Sequence, residues 1–72
     1  MIEMFQSVVA LVDVPSLGVK AGARGAVVEI YEKPYPAFEV EIFDEDWEPL
    51  GTISMRPDEI AAASPSKAKL VA

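Results

Sequence analysis

The sequence predicts a small all-β domain, and three observations carry that prediction. Residues 37–43, Ala-Phe-Glu-Val-Glu-Ile-Phe, alternate apolar and acidic side chains with the period of two expected of a half-buried strand. Three further apolar or β-branched runs, at 7–13, 26–31 and 50–55, have strand length. Glycine, proline or acidic clusters separate all four runs, and such clusters make turns.

Taken in order, residues 1–6 are an apolar lead-in that caps one end of the fold or forms a short helical turn. The first strand, 7–13, is nearly all apolar, as for a strand covered on both faces. Pro15 and Gly18 break it, with Leu17 and Val19 dipping back under the core. Gly22 and Gly25 then make a tight turn into the second strand, 26–31. There Ala26, Val28 and Ile30 form the better core set, and Val27, Glu29 and Tyr31 point the other way. A loop stiffened by Pro34 and Pro36 leads to the third strand, 37–43, with Phe38, Val40 and Ile42 inward and Glu39 and Glu41 outward. An acidic loop, 44–49, carries the single tryptophan, Trp47. The fourth strand is 50–55. Pro57 suits the first position of a helical turn and Asp58 and Glu59 suit its N-terminal end. Residues 61–63 complete that turn or form a fifth strand, and 64–72 are a tail or a short terminal strand. Four or five short strands with one helical turn before the last spell a small, partly open β-barrel of the SH3-like kind over residues 1–63, which also removes free sheet edges.

Composition narrows the function. The 72 residues make one domain, long enough to bury only ~60% of the unfolded surface. There is no cysteine and no histidine, which removes thiol nucleophiles, thiolate zinc sites and the imidazole base. No cofactor, catalytic residue or metal ligand is expected. A cytoplasmic location is the expectation, since small secreted domains often carry disulfides, and no stretch has the length of a membrane span. Net charge is −6, and residues 29–48 hold eight acids against one base. Such a surface repels nucleic acid and anionic membranes and attracts basic proteins.

The residues Leu11, Asp13, Pro15, Gly18, Gly22, Gly25, Val27 and Val28, then Phe38, Val40 and Ile42, then Asp58, Glu59 and Ile60, form a pattern over residues 7–60. It resembles a family of small, uncharacterised bacterial proteins of about this length, a domain of unknown function, from which residues 61–72 depart. It also resembles wider SH3-like groups: a photosystem I subunit that docks ferredoxin, the variable chain of ferredoxin–thioredoxin reductase and the β-subunit barrel of nitrile hydratase. The resemblance implies a barrel used as a docking surface or accessory subunit, or one half of an antitoxin or immunity-type pair.

Each motif has a plainer reading beside its chemical one. Gly22 to Gly25 lead into a strand and not a helix, so they do not make a phosphate cradle. Lys20 and Arg24 in that turn suit a KOW-like nucleic-acid barrel, the alternative function, but two bases do not supply a basic face. The 44–48 loop lacks the ligand spacing and glycine of a calcium loop. Glu39 and Glu41 are adjacent on one polar strand face, with no cleft between them for paired-carboxylate chemistry. Trp47 either anchors a partner or plugs a barrel mouth. The reading is therefore a non-enzymatic protein–protein interaction module, monomer or weak dimer. It binds a basic partner through Tyr35, Glu39, Glu41, Phe43, Asp44, Asp46 and Trp47, with Pro15, Gly18, Gly22 and Gly25 as structural turn residues.

Overall fold

Residues 2–63 are described by the structure, a computed structural model. Five strands form one antiparallel sheet: β1 (Ser7–Ala10), β2 (Arg24–Tyr31), β3 (Ala37–Phe43), β4 (Pro49–Met55) and β5 (Ile60–Ala62), in the order β4-β3-β2-β1-β5. Two 3-10 turns, Pro15–Leu17 and Pro57–Glu59, are the helical elements among the described residues. The second stands between β4 and β5 and delivers β5 to the far side of β1, the connection of an SH3-like, partly open barrel. The expected tail, 64–72, lies outside the described residues.

β3 has the bounds its alternation predicts, because both its faces are strongly marked. β1 is shorter than its apolar run. It stops at Ala10, and Leu11 and Val12 are exposed at the start of the long loop to β2. That loop folds back on itself. Val14 and Val19 pair as an isolated bridge, Asp13 Oδ1 accepts the Ala21 N–H at 2.8 Å, and Gly22 N–H donates to the Ala10 carbonyl at 2.7 Å. Pro15 opens the first 3-10 turn and Gly18 closes it in the left-handed region, φ 73°. Leu17 and Val19 pack against the core, as expected. Pro57 opens the second 3-10 turn, and Glu59 turns back so that its carboxylate accepts the Arg56 N–H at 2.9 Å. The alanine stretch after it is strand: Ile60, Ala61 and Ala62 pair with Ala10, Val9 and Val8.

The core consists of Val8, Ala10, Val14, Val27, Val40, Ile42, Met55 and Ile60. Each buried branched side chain contributes roughly 1.5–3 kcal/mol relative to exposure. Val27 is fully buried, so the expected face of β2 is corrected: Ala26 and Val28 do not belong to the core, while Ile30 packs against it. The reason is a bulge. Val27 pairs with Val40 and Glu29 with Glu39, leaving Val28 without a partner on β3. One extra residue shifts the alternation, so Val27 and Ile30, three apart, share a face.

Gly25 is likewise corrected. It lies within β2, not in the turn before it, and it is buried. A Cβ there would stand 2.7 Å from the Glu41 carbonyl oxygen and 2.7 Å from Val40 Cγ1. Its role is close approach of β2 to β3. The free edges expected to disappear also remain. β4 and β5 are not neighbours in the sheet, so among the described residues the barrel is open between them.

Gly25→Ala should therefore destabilise the domain by about 1–3 kcal/mol through overpacking. The denaturant midpoint should fall at unchanged slope. Val28→Ala should cost less than Val27→Ala in the same measurement, because only Val27 leaves a fully enclosed cavity.

Candidate functional site

The β3–β4 connection is a tight hairpin. Trp47 N–H donates to the Asp44 carbonyl at 3.0 Å, and Asp44 N–H donates to the Glu48 carbonyl at 3.0 Å. Asp44 Oδ1 accepts both the Asp46 N–H, at 2.8 Å, and the Glu48 N–H, at 2.9 Å. Asp44 thus organises the loop by holding two backbone donors that would otherwise face solvent. This pattern is a three-residue hairpin loop whose last residue takes the left-handed conformation that glycine usually supplies. Here that residue is Trp47, at φ 63°. An L side chain in that region costs roughly 1–2 kcal/mol.

The strained backbone directs the indole over β2. The Arg24 guanidinium carbon lies 4.3 Å from the Trp47 ring centroid. Phe43, the cross-strand partner of Arg24, stands with its ring 5.9 Å from that of Trp47, tilted by 51°. Each contact contributes on the order of 0.5–1 kcal/mol. Trp47 nevertheless remains 56% exposed. It does not plug a barrel mouth; it lies on the outside of the sheet. A groove of about 560 Å³ opens beside the cluster, between the β1–β2 loop and the β3–β4 hairpin. Leu17, Val19 and Leu50 give it an apolar lining, to which Lys20 and Arg24 add two bases and Asp44 and Glu45 two acids. Leu50 reaches it because a register shift follows Ile42, whose partner is Gly51 while that of Phe43 is Pro49.

The outer sheet face next to this cluster is acidic. Glu39 sits between Glu29 on β2 and Ser54 on β4, and Glu41 between Ala26 and Thr52. Both glutamates are half-buried. Ser54 Oγ donates to Glu39 Oε1 at 2.7 Å. Like charges directly opposite, as at Glu29 and Glu39, disfavour the sheet. Among the described residues the ion pairs are those of Arg56 with Asp58 and Glu59, so no cation offsets this row. The hydrogen bond to Asp58, then the charges of Asp58 and Glu59, hold the Arg56 guanidinium above its ordinary pKa.

The structure brings Phe43, Asp44, Asp46 and Trp47 together at the hairpin, with Glu41 and Glu39 leading away along β3. Tyr35 is not part of this group. It lies in the β2–β3 loop at the other end of β3, roughly 20 Å away by strand length. Pro15, Gly18 and Gly22 lie in the β1–β2 loop, and Gly25 in β2. Leu17 and Leu50 are not expected at a binding surface, and Arg24 is expected only in the nucleic-acid alternative, not beside Trp47. A signal existed for the cluster: a tryptophan in a loop too short for any residue but glycine to be comfortable. Its pairing with Arg24, distant in sequence, had none. No group of three or more metal-ligating side chains among the described residues could hold a metal ion, and no helix among them is long and apolar enough to cross a membrane.

Trp47→Gly should relieve the backbone strain while removing the ring contacts, leaving stability within about 1 kcal/mol of the parent. Trp47→Ala keeps the strain and loses the ring, so it should be the less stable variant by about 1 kcal/mol. Equilibrium unfolding of the two variants checks the order.

No curated protein and no solved structure matches the chain. A match to the family described as a domain of unknown function (DUF4926) spans residues 4–62, from the lead-in turn through β5. That match covers most of the chain, and the chain belongs to this family.

Proposed function

We propose that the protein is a docking module without chemistry of its own, which binds a basic protein partner. Trp47 carries this reading. The hairpin would be more relaxed with glycine at that position, yet it holds the largest side chain there, over half exposed. A local choice that opposes stability is expected where function sets the residue. Tryptophan flanked by arginine and a second aromatic has the composition of an interface hot spot.

Charge supplies the sign of the partner. Glu29, Glu39 and Glu41 on the sheet and Asp44, Glu45, Asp46 and Glu48 on the hairpin put seven acids on β2, β3 and the loop that carries Trp47. That charge accelerates encounter with a basic protein, and the aromatic anchor slows its release. An antitoxin or immunity-type protein covering a basic site, or an accessory subunit, fits this description. The opposite reading, a nucleic-acid barrel using Lys20 and Arg24, finds less support. Arg24 is stacked on Trp47, and both bases share the lining of the groove with the acids Asp44 and Glu45.

Co-purification should yield a stoichiometric basic partner. Trp47→Gly should weaken that complex by about 2 kcal/mol, mostly through faster dissociation. Glu39→Gln should slow association while raising unfolding stability by a few tenths of a kcal/mol, because the repulsion with Glu29 goes. Opposite signs for binding and stability are the signature of a functional charge. Tight binding of a generic oligonucleotide, with a steep salt dependence, would overturn the reading.

A further inference from the structure

Among the described residues, no strand pairs with the outer side of β4. β3 pairs with β4 on one side, and residues 50–55 make no other backbone hydrogen bond among the described residues. Edge strands are commonly blunted by charged side chains, by an interior proline or by brevity. β4 is seven residues long, its proline stands at its first position, and residues 50–55, Leu-Gly-Thr-Ile-Ser-Met, carry no charge. Toward the outer face it presents Thr52 and Ser54, both short and exposed. Immediately behind them, as their cross-strand partners, stand Glu41 and Glu39. The hydrogen bond from Ser54 draws the Glu39 carboxylate toward this edge.

We propose that β4 accepts an extended segment of the basic partner as a sixth strand, with lysine or arginine at alternate positions. This rests on the docking reading above and names the form of the partner. A strand added to β4 lies roughly 10 Å from β3, two strand spacings away. A long basic side chain on its outer face crosses the short Thr52 and Ser54 and meets Glu41 or Glu39. Side chains of a strand alternate, so the intervening residues turn to the inner face beside half-buried Ile53 and are apolar. Main-chain hydrogen bonds supply affinity and the alternating charges supply register. A second copy of this chain is the poorer occupant. It would bring two rows of glutamate onto one surface, and each copy carries a net charge of −6.

The test uses the whole chain and two synthetic peptides of equal composition, one alternating lysine and valine, the other with the same residues in two blocks. Binding is titrated by NMR at low salt, and amide exchange is read along β4. The alternating peptide should bind more tightly than the block peptide and slow exchange of amides in residues 50–55 by at least about tenfold. The double variant Glu39→Gln, Glu41→Gln should weaken it roughly tenfold. Equal binding of both peptides, weakened by the double variant but with β4 exchange unchanged, overturns strand addition and leaves the acidic docking face standing. Absence of binding by the alternating peptide, or binding indifferent to the double variant, overturns both. Protection of β4 in the protein alone, together with a dimer in sedimentation, assigns the edge to a second copy and overturns the proposal.

Discussion

β2 is paired on both sides, so any bend of the sheet has to pass through it, and it does so at Val28. The bulge there leaves one residue without a partner on β3 and lets Gly25, Val27 and Ile30 serve the same face. A bulge also increases local twist, which helps a five-stranded sheet to curl around a core of eight small and medium side chains. Gly25 complements it at the other end of the strand, where the backbone of β2 sits against Glu41 and Val40 too closely for any side chain. With so small a core the domain has little stability to spare, and these two features set where every other strand can lie.

The same geometry places the candidate site. Arg24 begins β2 opposite Phe43, which ends β3, so the two meet only because the register of β2 on β3 is fixed. The hairpin that follows then needs a left-handed residue, and Trp47 fills that place above Arg24. Phe5 repeats the device in the lead-in. At φ 62°, it donates its N–H to the Val27 carbonyl, while the Val27 N–H donates to that of Gln6. Both positions favour glycine on backbone grounds, and both hold exposed aromatics. Local energy and global use pull apart at these two residues, whereas they agree across β3, where pattern, burial and pairing coincide.

That contrast explains what the sequence made legible. β3 could be read to the residue because its acidic positions label the outer face. The 3-10 turn before β5 could be read from Pro57 and the acids behind it, and Leu17 and Val19 from their apolar character in a loop. The core face of β2 could not be read, because Ala26, Val27, Val28 and Ile30 are all apolar and a bulge leaves no mark among interchangeable side chains. The apolar run of β1 outlasts its strand for the same reason: Leu11 and Val12 look like strand, and only the return of the chain through the Val14–Val19 bridge leaves them outside. At the site, the acidic hairpin and its tryptophan were visible as a segment. Their relation to Arg24 and the groove was not, since it depends on pairing between residues some twenty positions apart.

An open sheet with an uncharged edge ought to invite self-association, and the distribution of acids bears on why it need not. Charges placed on the edge strand itself would repel every approaching strand alike. Here the carboxylates stand one strand back, on β3, opposite Thr52 and Ser54, and that of Glu39 is held by the Ser54 hydroxyl. They leave the hydrogen-bonding groups of β4 intact while raising the energy of any arrangement that brings another acidic chain alongside. On the proposed docking at β4, discrimination would rest on the sign of the incoming side chains and not on blocking the backbone, the less costly way to exclude one's own copy while leaving the edge able to pair.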